Sequence, residues 1–482
     1  MNVSNDKLDW KEFEGMREEV LTMWPTGREV DLDEAVEYQK SISDKKNYTK
    51  KLRKNKGKDI LIQPRSGVGL VDEYINILKY LQKMGGADLL SANSDSYTRN
   101  ARFEDAQKAI DESIKRGRST LNGIPIVNFG VETCRRIIDS VDNPVMAIGN
   151  GADLRLLAEI SMASGFTGMV TSPVFSALEF CKDVHLERVI RNFQYNDRLI
   201  GFYEENGVPI TKMVHTIGLQ TGVFIPSLMN TNTIIDSLIA AEQGVKNIIL
   251  DTAPQGNLIQ DIAAFRTLPK ICKEYLHKTG HKDVDLYLSV FHWAGVISED
   301  EAQAYGTICY TTVEGILGGA DVIAVKSVQE GKGLPQPKEN ADTCRATRQI
   351  INMLLDQHLY LENEDIEIEA EMIEIETKNI LDRVLELGEG DLAIGTVRAV
   401  EAGVIDHPLS PYRYCKGDVV FIRDNDGATR VLEPGNLPFE EEVLKFHREK
   451  VAERGKTESV GYETMIKDLV AVSKGRLVGR AT

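Results

Sequence analysis

The sequence predicts an α/β protein: a TIM (β/α)8 barrel with an N-terminal helical extension and a C-terminal α+β unit. Three observations predict it. Short apolar runs alternate with helix-length amphipathic segments from about residue 59 to 330. The runs are apolar throughout, as in strands buried on both faces of a parallel sheet. About eight or nine such units fit into roughly 270 residues, the size of a closed barrel. An open doubly wound sheet usually carries a glycine fingerprint after its first strand, and "SGVGLVD" lacks that spacing.

Taken in order, residues 1–58 read as the helical extension, with "DKKNYTKKLRKNKGK" a solvated basic run. Residues 59–356 read as the barrel. Its candidate strands are "DILIQP" (59–64), "DLLSAN" (88–93), "IPIVNFG" (124–130), "PVMAIG" (144–149), "GMVTSPV" (168–174), "TKMVHTI" (211–217), "NIILDTA" (247–253), "DLYLSVFHW" (285–293) and "DVIAVKSV" (321–328). Between them, Leu70, Tyr74, Ile77, Leu78 and Leu81 fall at helical spacing, as do Phe103, Ala106, Ile110 and Ile114. Ile234, Ile235, Leu238 and Ile239 mark a third helix. Residues 357–482 read as a separate unit that caps or dimerises the barrel. It opens on an acidic helix with an apolar face through Ile366, Met372, Ile373, Ile380, Leu381 and Val384; its charge is read as a solvated face.

Composition narrows the function. A net charge of −17 disfavours nucleic acid, whose phosphates demand a basic surface, but leaves room for a small anion in a locally positive pocket. No apolar run approaches the length of about 20 residues needed to cross a bilayer. The start lacks a signal peptide's apolar stretch, so a cytoplasmic protein is expected. The 6 cysteines form no Cys-x-x-Cys pair and read as reduced thiols. There is no His-Glu-x-x-His, Walker loop or Gly-x-Ser-x-Gly, and no metal site is expected.

In a barrel the active site lies at the carboxyl ends of the strands. Those ends hold Arg65, Asp95 to Arg99, Asn128, Ile148 to Asn150, Thr171, His215, Asp251, His292 and Lys326. Asn128 and Asp251 equally suit helix caps, and His215 a satisfied core histidine. The cations stand out, because a buried cation needs an anionic partner.

Several long stretches carry more. "WPTGREVDLDEAV", "QPRSGVGLVDE", "YTRNARF", "DRLIGFYEENGV", "AAEQGVKNI", "GNLIQDIAA", "KGDVVFIRDN" and "ELGEGDLAIGTV" resemble the large epsilon subunit of glutamate mutase (methylaspartate mutase), along nearly the whole chain. The resemblance implies a TIM barrel that uses adenosylcobalamin to interconvert glutamate and 3-methylaspartate by radical rearrangement. It implies a small partner subunit that binds the cobalamin through an Asp-x-His-x-x-Gly motif, absent from this chain. Two barrels with two such subunits would form a heterotetramer. By the same resemblance, contacts to the adenosyl group fall on Gly67, Asn122, Lys326, Glu330 and Leu334, and His292 matches an active-site histidine. Arg65 and Arg99 match two of three arginines that grip the dicarboxylate substrate.

The chain departs from the pattern at two neighbouring strand ends. Ile148 stands where the third arginine is expected, and Gly149 replaces the following histidine. Val170 replaces a glutamate that meets the substrate's amino group, and Ser176 and Phe180 replace two tyrosines. An ammonium facing Val170 would be desolvated without a partner. Losing a buried arginine–carboxylate contact costs roughly 2–5 kcal/mol more. The expectation is therefore a cobalamin-dependent mutase with an altered substrate: an acid with one carboxylate for Arg65 and Arg99 and a less polar remainder. Two readings stay open beside it. One is genuine glutamate mutase activity, with His215 and Lys212 as replacements. The other is a non-catalytic scaffold for the cobalamin subunit.

Overall fold

The computed structural model describes residues 3–218, 222–330 and 336–480. Eight strands lie at its centre: β1 (Leu61–Pro64), β2 (Leu90–Asn93), β3 (Val145–Ile148), β4 (Gly168–Val170), β5 (Thr211–His215), β6 (Asn247–Thr252), β7 (Asp285–Phe291) and β8 (Val322–Val325). They follow the order β1-β8-β7-β6-β5-β4-β3-β2, and every pairing is parallel. Between β1 and β2, the Leu89 N–H donates to the Ile62 carbonyl at 3.1 Å and the Asn93 N–H to the Ser66 carbonyl at 2.9 Å. The sheet thus closes into a TIM barrel. Helices cover its outside, which is why the strands carry apolar residues on both faces.

Inward-facing side chains fill the barrel. Leu61, Met146, Ile148, Val170, Met213, Ile249, Tyr287 and Val322 form one buried cluster, which Tyr48 and Leu52 join from below. Those two residues lie on the helix Tyr48–Asn55, inside the basic run. The run is therefore more than solvated surface: it forms part of the barrel floor. The Tyr48 N–H donates to Thr167 Oγ1 at 3.0 Å, and Arg53 Nη2 donates to Asn247 Oδ1 at 2.9 Å, at the starts of β4 and β6.

Residues 124–130 correct the sequence reading. They contribute one isolated bridge, Ser94 to Ile124, and then the helix Ile126–Asp139. A short apolar run is the right length for a strand or for the buried face of a helix, and periodicity alone does not separate the two. Here Ile126, Val127, Val131, Cys134, Ile137 and Ile138 are buried at helical spacing. The helix breaks at Gly130, whose φ is 70°; a Cβ there would stand 2.7 Å from Glu29 Oε2. Asn128 consequently lies on this helix and donates to the Phe103 carbonyl at 2.9 Å, away from any strand end.

After β8, the helix Pro337–Leu355 returns against β1. The acidic helix spans Glu364–Leu387 and packs on the barrel helices Leu258–Lys278 and Pro226–Glu242. Its Ile366, Ile373, Ile380, Leu381 and Val384 are buried, with Met372 half-buried. Two of its acids are buried too, so the charge is not wholly a solvated face. Glu369 pairs with Arg430 (Nη1 to Oε2, 3.0 Å), and Glu376 pairs with His447 (3.0 Å) and accepts from Ser227 Oγ (2.6 Å). Arg430 and His447 belong to an antiparallel ribbon, β9 (Val420–Arg423) and β10 (Thr429–Glu433), and to the helix Glu441–Gly455 behind it. One apolar cluster runs from Phe13 through the barrel's outer layer to Met465. Among the described residues all cysteines are free, and no helix is long and apolar enough to cross a membrane.

Candidate functional site

Pro64 ends the β1 ladder opposite Val325 and delivers Arg65 to the barrel mouth. The turn is pinned by Ser91, whose hydroxyl donates to the Pro64 carbonyl (2.8 Å) and accepts from the Ser66 N–H (3.1 Å). Asn340 fixes Arg65 from behind by donating to its carbonyl at 2.7 Å. The guanidinium lies over the Phe291 ring, 5.0 Å from its centroid, and Nη2 stands 3.4 Å from both ring nitrogens of His215. Arg99 arrives by a different device. After β2, Asp95 accepts from the N–H groups of Tyr97 (2.8 Å) and Thr98 (3.0 Å) and starts the short turn Ser96–Arg99. The Arg99 Nε is buried without a hydrogen-bond partner among the described residues. Burial pushes both arginines below their ordinary pKa; Asp251 and Glu330 partly offset this at Arg65, and Asp95 at Arg99. Two half-buried guanidiniums short of anions leave donors of the kind that pair with a carboxylate.

These arginines share a cavity of about 310 Å³ at the carboxyl ends of the strands. Ile148, Gly149, Phe175, Phe180, His215, Phe291 and Lys326 also line it. No carboxylate lines it, and the undescribed residues 219–221 and 331–335 include no Asp or Glu. A second cavity, also about 310 Å³, adjoins it and shares Arg65, Asn93 and Asn122; Gly67, Glu330 and Asn340 lie on its other walls. Lys326 Nζ and Glu330 Oε2 pair at 3.0 Å. Leu334, the remaining expected cofactor contact, lies outside the described residues.

The structure therefore brings together Arg65, Arg99, Ile148, Gly149, Phe180, Asn122, Lys326, Gly67 and Glu330 around two adjoining cavities. Val170 and Ser176 are fully buried and line neither. Val170 belongs to the barrel-filling cluster together with Ile148. His292 also lies apart from both cavities. Its Nε2 reaches Thr312 Oγ1 at 2.9 Å on the helix Glu301–Gly318, and its Nδ1 accepts from the Lys326 N–H at 3.3 Å. Its neighbour Phe291 takes the mouth-facing place. Period-two alternation signals that one of the pair faces in and the other out. Asn93 and Asn340 were missed as well; Asn340 sits far along the chain and carries no local signal.

Burial, helped by the charge of Lys326, lowers the His292 pKa from 6.5 to about 3. The folded protein thus keeps this ring neutral at pH values where the unfolded chain protonates it. Its stability contribution is complete above pH 6.5 and is lost as pH falls from 6.5 towards about 3. His292→Gln is expected to flatten that part of the stability profile, measured by urea unfolding at a series of pH values.

Lys212 and Arg155 are not in the mouth. Alternation turns Lys212 outward from β5, where Nζ donates to Asp197 at 2.8 and 3.0 Å and to the Asp236 carbonyl at 3.3 Å, with no exposed surface. Arg155 is held by Asp153 at 2.6 and 2.9 Å. Lys212→Met leaves Asp197 buried and unpaired, and is expected to cost ~3–5 kcal/mol of stability. Chemical denaturation measures this, and acid binding to the surviving folded fraction should be unchanged.

Fold and site together define a TIM barrel with a cation-lined cavity at its mouth. The chain matches the family described as Methylaspartate mutase E chain (MutE) over residues 42–481, and it belongs to that family. It is 45% identical over 485 residues to the glutamate mutase epsilon subunit of Desulfitobacterium hafniense, covering 100% of this chain and 99% of that one. It is 43% identical to the glutamate mutase epsilon subunit of Treponema denticola, again over 100% and 99%. The corresponding protein of Haloarcula marismortui is 35% identical over 99% of this chain and 96% of its own.

Proposed function

We propose that this chain is the large subunit of an adenosylcobalamin-dependent carbon-skeleton mutase whose substrate is a small carboxylic acid other than glutamate. One observation carries the choice of substrate: the cavity presents Arg65, Arg99 and Lys326 and no carboxylate. A carboxylate is welcome there, and an ammonium has no counter-ion. Arg65 and Arg99 hold the carboxylate by charge-assisted hydrogen bonds. Ile148, Phe175, Phe180 and Phe291 shelter the less polar part of the molecule and keep water from it.

The residues present fit the adenosyl group. Lys326 and Glu330 offer a donor and an acceptor 3.0 Å apart, suited to neighbouring sugar hydroxyls. Gly67 keeps its wall at backbone level, since a Cβ there would come 2.4 Å from the Asn93 carbonyl oxygen. Asn122 borders both cavities. When bound, the cofactor supplies a carbon-centred radical able to take hydrogen from an unactivated C–H bond. The barrel's part is to fix the acid, to exclude solvent and to hold the ribose. The corrin requires a second, small subunit with an Asp-x-His-x-x-Gly motif, which this sequence lacks. The two Asp-x-His patterns here, Asp183-Val184-His185 and Asp356-Gln357-His358, end at Arg188 and Leu361 in place of glycine.

The test is anaerobic EPR of this chain mixed with its small partner and adenosylcobalamin. Glutamate and acids without an amino group are added in turn. A substrate-dependent radical signal with other acids and not with glutamate is expected. A signal with glutamate alone overturns the altered-substrate reading. Silence with every acid, despite confirmed assembly, overturns the mutase reading.

A further inference from the structure

We propose that His215, held by Asp251, selects acids that carry a hydroxyl on the carbon next to the carboxylate gripped by Arg65. This rests on the mutase reading above and names its substrate class. His215 ends β5 and Asp251 lies directly opposite it on β6. His215 Nδ1 meets Asp251 Oδ2 at 2.5 Å. A carboxylate accepts, so Nδ1 carries the proton and Nε2 keeps its lone pair. The ring is locked on its other sides. Its backbone N–H donates to Ser172 Oγ at 2.7 Å, and Phe175 and Phe291 meet it edge-on at 5.3 and 6.1 Å between centroids.

With Nδ1 protonated, Nε2 is the ring's acceptor, and Arg65 Nη2 meets it only at a long 3.4 Å. A carboxylate that draws the guanidinium's donors to itself leaves that lone pair to another donor. The neighbouring cation also opposes a positive charge on the ring. Burial and Arg65 together lower the His215 pKa, against the pull of Asp251. The cavity therefore holds a neutral acceptor, only 6% exposed, beside an arginine that awaits an anion.

The geometry sets what fits. A carboxylate on Arg65 brings the substituent of its neighbouring carbon within reach of Nε2. A hydroxyl there donates to Nε2 and adds no charge. An ammonium would also donate, but it would stand beside Arg65 and Arg99, with Asp251 already engaged behind the ring and Glu330 paired to Lys326. A methylene would leave Nε2 with no more than the long Arg65 contact, and a site built to pair a hydroxyl rejects the analogue that lacks it. Ser94 Oγ and Asn150 Oδ1, elsewhere on the cavity wall, are buried without partners among the described residues. Asp251 is a positioning residue in this scheme, because it fixes the tautomer.

The experiment uses the chain assembled with its small partner and cofactor, and two matched sets of acids. One set is pentanoate, 2-hydroxypentanoate and 2-aminopentanoate; the other is glutarate, 2-hydroxyglutarate and glutamate. Calorimetry should show the hydroxy acid of at least one set binding about tenfold or more tighter than its two relatives. His215→Phe should remove that preference, the hydroxy acid then binding no tighter than its two relatives; His215→Gln, which keeps an acceptor, should restore part of it. Nitrogen NMR of the ring should report a proton-free Nε2 in the unaltered protein and a mixed tautomer in Asp251→Asn. Equal binding within each set, or a hydroxyl preference that survives in folded His215→Phe, overturns the role of His215 and leaves the mutase reading standing. Failure of every acid to bind overturns both.

Discussion

Arg65→Met is expected to abolish the radical signal with every acid and to weaken acid binding by roughly 30- to 4000-fold. The range follows from the ~2–5 kcal/mol lost when a desolvated charge pair loses one partner. The loss should be this large because Lys326 is engaged with Glu330 at 3.0 Å, and Arg99 is then left, among the described residues, as the one free guanidinium on the carboxylate. The fold should survive, since methionine can keep the packing over Phe291 that the guanidinium makes at 5.0 Å. Arg65→Lys should recover little: an ammonium is a point charge, without the planar fork that grips a carboxylate at two atoms. Calorimetry with pentanoate and glutarate measures the affinity, and circular dichroism checks the fold. An Arg65→Met protein that binds both acids as the unaltered one does would remove the arginine from the site.

The fold was legible because its signal is redundant. Eight apolar runs separated by helix-length segments leave a parallel barrel as the simplest closure, and misreading one segment changes little. The error at 124–130 is instructive: six apolar-rich residues after Gly123 fit either state, and the contacts of Ile126, Val127 and Val131 with distant parts of the chain decide it. The site was legible where a backbone signal fixes direction. Pro64 stops β1, so Arg65 must emerge at its end. It was illegible where alternation leaves two choices. His215 faces the cavity and Lys212, three residues earlier on the same strand, faces the helices; neither composition nor length says which. Phe291 and His292 pose the same question. The buried acids Glu369 and Glu376 were illegible for another reason. Their partners, Arg430 and His447, lie about sixty and seventy positions away, and only the packed C-terminal ribbon brings them together.

The second large effect concerns the apolar wall. Ile148 and Val170 end adjacent strands, and the register Met146 to Gly168 and Ala147 to Met169 continues to bring them side by side. Val170→Glu alone places a carboxylate in the barrel-filling cluster of Met146, Met213 and Ile249, with no partner. The expected loss is ~3–5 kcal/mol of stability, read as a shift in the urea midpoint. Adding Ile148→Arg supplies that partner across the strand pair, so the double variant should recover much of the loss. It should also change what the cavity accepts. Ile148 lines the cavity and Val170 lies behind it in the barrel-filling cluster, so the exchange puts on the cavity wall an arginine, held by the carboxylate behind it, that can meet glutamate's second carboxylate. Glutamate should then bind more tightly than in the unaltered protein and begin to give a radical signal. The comparison separates two explanations of the same sequence departure. If stability recovers and glutamate binding does not improve, the altered wall is a packing change, and selection against the amino acid lies with His215 and the other cavity residues. If both improve together, Ile148 and Val170 are the positions at which this barrel turned away from glutamate.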